Sequence, residues 1–488
     1  MNWTARLEHA FFLNRSIKRS NVDARPSQPM RFALIRRRPK GWHTCNGATT
    51  LSRSCRLLAC LLLAFMLAGQ VAQGATFAQD EDLISDCEGV EEWFVRLPMA
   101  APTEPQSTKA WNILLYDAAD IEQGQGFNPL EPFANFAGSS SNTNVLILED
   151  QYSWTENDVI WLVKHQPCST RITPVFDLGE AETDEPRTLE QFLRFAQEWF
   201  PAERTLLFMY GHGGAWRGAC NDESNGQTDW SFDAENWLTP VEMRTALETV
   251  GGVNALMFSA PCTMSSLEVA YELRDVTKLY VADEEFSGYI YWWAAVGQIA
   301  ELLETDPDQD IDALGAATID TIRKTVQDAL DAGYWSHLIN RLPNIAAIRT
   351  SSLGELATTV DVFAESMLSL LPQKREELLD MRGHAPQFGM GEQVDVYAFA
   401  EACQRIPQLA EAADAVIQEF DRAVISQVGR YVPPYGNVGG LSLYFPSPYF
   451  TLLFEQSGEA YLNYNLSFLT DTRWDEMIEA ILGPQTTP

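Results

Sequence analysis

The stretch "RTLLFMYGHGG", residues 204–214, decides the reading of the fold. Leu206 to Tyr210 form an apolar run of strand length with no polar residue to mark a wet face, so both faces of that strand should be buried. The run then breaks into glycines that bracket His212. Glycine lets the backbone turn sharply and approach other groups closely. A strand buried on both faces needs neighbours beside it and helices above and below. The chain supplies them in order. Upstream lie "WNILLYDAAD" (111–120) and "TNVLILEDQ" (143–151), separated by the loop "GSSSNTN". "RTLEQFLRFAQEWF" (187–200) has Leu189, Phe192, Leu193, Ala196, Trp199 and Phe200 at helical spacing. Downstream, "LTPVEMRTALETV" (238–250) reads as a helix, "NALMFSAP" (254–261) as a strand, "SSLEVAYELRD" (265–275) as a helix and "KLYVADEE" (278–285) as a strand. This alternation predicts an α/β fold, a mostly parallel sheet with helices on both faces. From 301 to about 430 the pattern is mainly helical. "GGLSLYFP" (439–446) then returns a strand to the sheet, and "DTRWDEMIEAIL" (471–482) is a closing helix.

The first 78 residues differ from the rest. They hold 12 Lys/Arg and 2 Asp/Glu, and "LLACLLLAFMLAG" (57–69) follows Arg53 and Arg56 and precedes the small residues of "VAQGATFA". A basic flank, an apolar core and a small-residue exit predict a secretory signal over residues 53–78, with cleavage after Gly74 or Ala78, and a secreted or periplasmic product. The apolar run is too short for a stable membrane span. The remainder keeps 22 basic against 65 acidic residues, a formal balance of −43. That balance argues against nucleic acid as a partner, because a polyanion would be repelled. Five cysteines remain: Cys87, Cys168, Cys220, Cys262 and Cys403. An odd count in an exported chain predicts at least one free thiol and leaves room for two disulfides among Cys87, Cys168, Cys220 and Cys403. No CxxC pair occurs, so a zinc site is not expected.

In open α/β sheets the loops at the carboxyl ends of the strands converge on the site. Two such ends carry reactive side chains. His212 follows the 204–210 strand, and Cys262 leaves the next one through Pro261. Ser265 and Glu268 fit a capping box, which would set Cys262 just outside a helix N-terminus, where partial positive charge favours thiolate. A histidine within reach would assist the thiol by proton transfer. The fifty residues between them are about one strand–helix–strand unit, so adjacent strands would bring the pair together.

"TLEQFLRFAQEWFPAERTLLFMYGHGGAW" followed by "APCTMSSLEVAYELRDVTKLYVADEE" resembles the clostripain family of cysteine peptidases, part of the group with the caspase-like fold. The likeness spans about 111 to 482. It implies a caspase-like catalytic core over 79–300, a helical region over 301–430, and a closing strand and helix over 431–488. It implies His212 as the catalytic histidine, Cys262 as the nucleophile, and backbone N–H groups of Gly213 and Cys262 as the oxyanion hole. The substrate would be a protein or peptide, cleaved through a thioester acyl-enzyme. No cofactor or metal is implied for the chemistry, although some members carry structural calcium. Glu284 and Glu285 match the family's pocket-lining "SEE".

The departures from the family pattern are as informative. Ala260 stands where the family has the aspartate linked to selecting Arg or Lys before the cut bond, and Pro261 replaces the usual alanine. The loop "CNDESNGQTDWSFDAENW" (220–237), where members often cleave themselves at a basic residue, has no Lys or Arg. Loss of the family's Arg/Lys preference is therefore expected. Two other readings stay open: a binding or scaffold protein of this fold that has lost catalysis, and a peptidyl transferase using the same dyad. Glu268 and Glu272 read as capping or solvent-facing residues. His165, His337 and His384 read as structural or exposed. Trp216, Tyr289, Tyr291, Trp292 and Trp293 would form either a groove wall or a packed rim.

Overall fold

A computed structural model describes residues 94–118, 138–150, 157–166, 169–222, 237–287, 289–331, 343–429, 438–447, 461–462 and 464–482. The secretory segment, Cys87, Cys168, His337 and most of the 220–237 loop lie outside these residues, as do the side chains of His165, Tyr289, Tyr291 and Trp293.

The strand at the centre is β6 (Ala202–Tyr210), flanked by β2 (Lys109–Ala118) and β7 (Val253–Phe258), with β3 (Thr143–Asp150) and β8 (Thr277–Asp283) outside them. All four pairings among these five strands are parallel. Side chains alternate between two cores. Leu206 and Phe208 of β6 enter one and Leu207 and Met209 the other, and Ala255 and Met257 against Leu256 and Phe258 of β7 repeat the division. Burial on both faces is why these strands read as unbroken apolar runs.

Further strands extend both flanks. On one side the antiparallel hairpin of β4 (Asp158–Gln166) and β5 (Ser169–Gly179) follows β3, and β1 (Phe94–Arg96) closes the edge parallel to β5. On the other side come β9 (Ile345–Arg349) and β12 (Val424–Gln427), antiparallel to their neighbours, giving a sheet of ten strands among the described residues. Helices α1 (Pro186–Trp199), α2 (Pro240–Glu248) and α3 (Leu267–Glu272) contribute to one core, and α4 (Tyr289–Thr305) and α5 (Ile311–Asp331) to the other. The first core also takes α6 (Leu353–His384), α7 (Val396–Cys403), α8 (Ala410–Ala423), α9 (Ser467–Asp471) and α10 (Trp474–Leu482).

The strand that returns from the helical region to the main sheet is β12. The "GLSLYFP" segment supplies β13 (Ser442–Tyr444), which instead pairs with β11 (Gln393–Asp395) in a three-stranded sheet completed by β10 (Gln387–Phe388). Among the described residues no helix is long and apolar enough to cross a membrane.

Candidate active site

The last register pair between β6 and β7 is Met209 with Phe258. His212 and Cys262 lie three and four residues beyond it, so both loops leave over the same carboxyl edge. The exit of β7 is held down by Ser259, whose N–H and Oγ both donate to the Met209 carbonyl, at 2.8 and 3.2 Å. The loops then touch at Gly213. A Cβ built there would lie 2.4 Å from the Cys262 carbonyl oxygen and 2.7 Å from its nitrogen. Only glycine lets the histidine loop lie against the Pro261–Cys262 peptide.

A short antiparallel bridge sets Gly213 opposite Ala219. The Gly214 N–H donates to Gly218 O and the Cys220 N–H to His212 O, each at 2.9 Å. Gly213 and Ala219 are thus a non-hydrogen-bonded pair, and the Gly213 N–H points away from the bridge.

Five non-glycine residues among those described have positive φ, and four of them belong to these loops: Ala215 (54°), Cys220 (58°), Ala260 (137°) and Thr263 (57°). Such conformations cost on the order of 1–3 kcal/mol each and persist where surrounding structure enforces them. Around Cys262 the enforcement is dense. The Thr263 N–H donates to Glu285 O at 3.0 Å, and the Ser265 N–H to Asp283 O at 2.9 Å. Ser265 Oγ donates to Gly440 O at 2.6 Å. His212 and Cys262 are both partly exposed at this rim. Burial holds the His212 pKa below the usual histidine value, because it disfavours the imidazolium.

Several sequence expectations change here. Ser265 is not a helix cap: α3 is capped at Ser266, with no side-chain cap bond, and spans six residues. The helix thus begins one residue later than that pattern sets it, and Cys262 lies four residues before its cap. A capping box does occur, on α2, where Thr239 and Glu242 bond reciprocally and Pro240 opens the helix; "TPVE" carried that signal in the sequence. Glu268 and Glu272 are buried rather than solvated. Glu268 accepts from the Tyr444 N–H at 2.7 Å and from the Tyr461 hydroxyl at 3.1 Å. Glu272 accepts from the Ser467 N–H at 2.7 Å and pairs with Arg244. Both glutamates tie α3 to the closing segment.

Glu284 is fully buried, with Asn344 Nδ2 donating to its carboxylate. Its pKa lies well above the usual range because of burial and the neighbouring Asp395. Glu285 is 9% exposed, and Oε1 of its side chain accepts from the Phe286 N–H. Trp216 and Trp292 are core residues, the former edge-on to Tyr444, Tyr461 and Tyr464. Cys220 and Cys403 are buried free thiols, not disulfide partners, and burial pushes the Cys403 thiol up to about 12. His384 is exposed.

Sequence reasoning missed one charged contact at the site. Arg217, in the histidine loop, makes a buried bidentate ion pair with Glu392 of the β10–β11 loop at 2.7 and 3.1 Å. The partners are 175 residues apart, and no local signal joins them.

On the same edge, Glu182, Asp184 and Asp222 bring carboxylate oxygens within 4.8 Å of one another, an arrangement that could hold a divalent ion. Thr183 braces it, its N–H donating to Asp222 at 3.1 Å and its hydroxyl to Asp150 at 2.5 Å.

The sequence profile described as the Clostripain family, peptidase C11, matches residues 126–480. In structure the chain is similar to a secreted C11 cysteine protease from Bacteroides thetaiotaomicron in complex with an irreversible peptide inhibitor. The TM-score is 0.53 at 14% identity, over 75% of this chain and 100% of that one. A second secreted C11 cysteine protease structure from that organism, "iotapain", gives 0.52 at 16% identity over 75% and 100%. At these identities the likeness is one of fold. No curated protein matches the sequence.

Proposed function

This chain belongs to the clostripain family, and we propose that it is a secreted cysteine endopeptidase in which Cys262 and His212 work as a dyad. One observation carries the reading: Gly213 lies against the Cys262 peptide, so the residue preceding it and the cysteine share one rim of the sheet. Cys262 Sγ attacks the carbonyl carbon of the scissile bond, and its proton passes to His212. The C–N bond breaks as His212 donates that proton to the leaving amine, leaving a thioester on Cys262. Water, deprotonated by His212, then attacks the thioester and releases the acid and the thiol. The Gly213 N–H, unused by its bridge, and the Cys262 N–H are the donors for the oxyanion.

Ala260 keeps a methyl group, 8% exposed, where the family pattern has a carboxylate. A methyl group does not attract a cationic side chain, so cleavage after Arg or Lys is lost. The Glu182–Asp184–Asp222 group is proposed as a structural calcium site. Its all-oxygen donors suit that hard cation, and its place is outside the reaction.

The test is labelling by a thiol-directed peptide electrophile, with the adduct mapped by mass spectrometry. Labelling at Cys262 that is lost in His212→Ala is expected. An inert Cys262 in a chain that still binds peptide would instead favour the scaffold reading. Added amine nucleophiles captured in the products would identify transfer in place of hydrolysis. Ala260→Asp is expected to restore cleavage after Arg or Lys.

A further inference from the structure

The β10–β11 hairpin turns through Phe388–Gly389–Met390–Gly391, closed by the Gly391 N–H donating to Phe388 O at 3.0 Å. Gly389 has φ 61° and Gly391 φ 87°. The turn holds up Met390, which at 55% is the most exposed large apolar residue among those described. A single exposed methionine is ordinary, but its position is not. A Cβ at Gly389 would meet Thr263 Cγ2 at 3.3 Å, so the turn packs on the residue next to Cys262. The turn is also fixed in place. Glu392 pairs with Arg217 of the histidine loop, and Arg382 donates to Gly391 O and to Gln387 Oε1. A second exposed apolar side chain, Phe286 at 36%, follows Glu285, whose carbonyl receives the Thr263 N–H. The chain neighbours of both exposed apolar residues, Gly389 and Glu285, thus touch Thr263 from separate elements, and Ala260 lies three residues before it.

We propose that Met390 and Phe286 form an apolar subsite that selects an aliphatic or aromatic side chain at a position adjoining the cut bond. The proposal rests on the peptidase reading and deepens it by naming the substrate class. The occupant is the substrate peptide, because the turn packs on the residue next to the nucleophile and is held there by the Arg217–Glu392 pair and the Arg382 bonds. A hairpin already held in place avoids part of the ordering cost of binding.

Two measurements separate the failure of this proposal from that of the peptidase reading. The first is digestion of a peptide library by the full protein, reading the residues on both sides of each cut. Leu, Met or Phe should exceed Ala, Asp and Lys by tenfold or more at one of them. Met390→Asp should abolish that preference, and Phe286→Ser alone should weaken it. Thermal melts should move little, because the substitutions are on the surface. The second is binding of the same peptides to Cys262→Ala, which needs no chemistry. An apolar preference there that disappears in Cys262→Ala/Met390→Asp sustains the subsite even if no peptide is cut. A selectivity profile unchanged by Met390→Asp in either measurement overturns it. So does an apolar preference lost only when another segment of the chain is removed, since that segment would then supply the subsite.

Discussion

At the scale of single residues, Gly213 carries the most consequence for the least mass. One methyl group there must displace the Cys262 peptide, because the built Cβ falls at 2.4 Å from backbone atoms that cannot swing aside. Overpacking of this kind costs about 1–3 kcal/mol in stability, whereas a displacement near 1 Å at reacting groups costs about a hundredfold in rate. Gly213→Ala should therefore lower kcat/KM by about a hundredfold or more while the protein still folds. Paired urea denaturation and peptide-hydrolysis measurements would show the imbalance. Glu284 offers a second residue-level test. Its pKa is raised by burial and by Asp395, so the folded chain keeps a proton that the unfolded chain releases near the ordinary glutamate value. Stability from this group is thus fully present below that value and falls as pH rises toward the raised folded one, by up to about 1.4 kcal/mol per pH unit. Glu284→Gln keeps the shape without the proton. Its stability should decline less steeply between pH 5 and 8 than that of the natural protein, as read by chemical denaturation at each pH.

At the scale of elements, the central strands were legible because each is buried on both faces and therefore continuous in apolar character. The β4–β5 hairpin was not, since Lys164 and Arg171 face each other across it and half-buried positions interrupt the run. The Ser265–Glu268 pair looked like a cap because spacing alone defines that pattern. Glu268 accepts from the Ser266 hydroxyl and also from Tyr444 and Tyr461, the last two 176 and 193 residues away, and no local sequence encodes contacts of that range. The two strand ends that carry His212 and Cys262 were legible for the opposite reason: glycine and proline punctuate the chain where a strand ends. The Arg217–Glu392 ion pair joins the histidine loop to the hairpin beneath Met390. Removing one partner of a buried pair leaves an uncompensated charge and costs about 3–5 kcal/mol. Glu392→Ala should lower unfolding stability by that amount. Arg217→Met/Glu392→Met, which removes both charges, should recover most of the loss in a double-mutant cycle.

At the scale of the whole molecule, the dominant feature is charge. With 22 basic against 65 acidic residues after position 78, the chain repels itself, and any salt that screens it should stabilise it to some degree. Calcium should act by a second and separable route. Glu182 and Asp184 lie between β5 and α1, whereas Asp222 follows the histidine loop, so one bound ion would join two segments that the backbone connects only through α1 and β6. An ion that binds only the folded state stabilises it by about 2.7 kcal/mol at a hundred times its Kd. Screening depends on ionic strength alone, whereas ligation depends on particular oxygens. Thermal melts in calcium should therefore exceed those in sodium chloride of equal ionic strength. Asp222→Asn should erase the calcium-specific increment and leave the sodium chloride increment intact. Equal gains from the two salts, or a calcium increment that survives Asp222→Asn, would mean that the acidic group is a patch of surface charge and holds no ion.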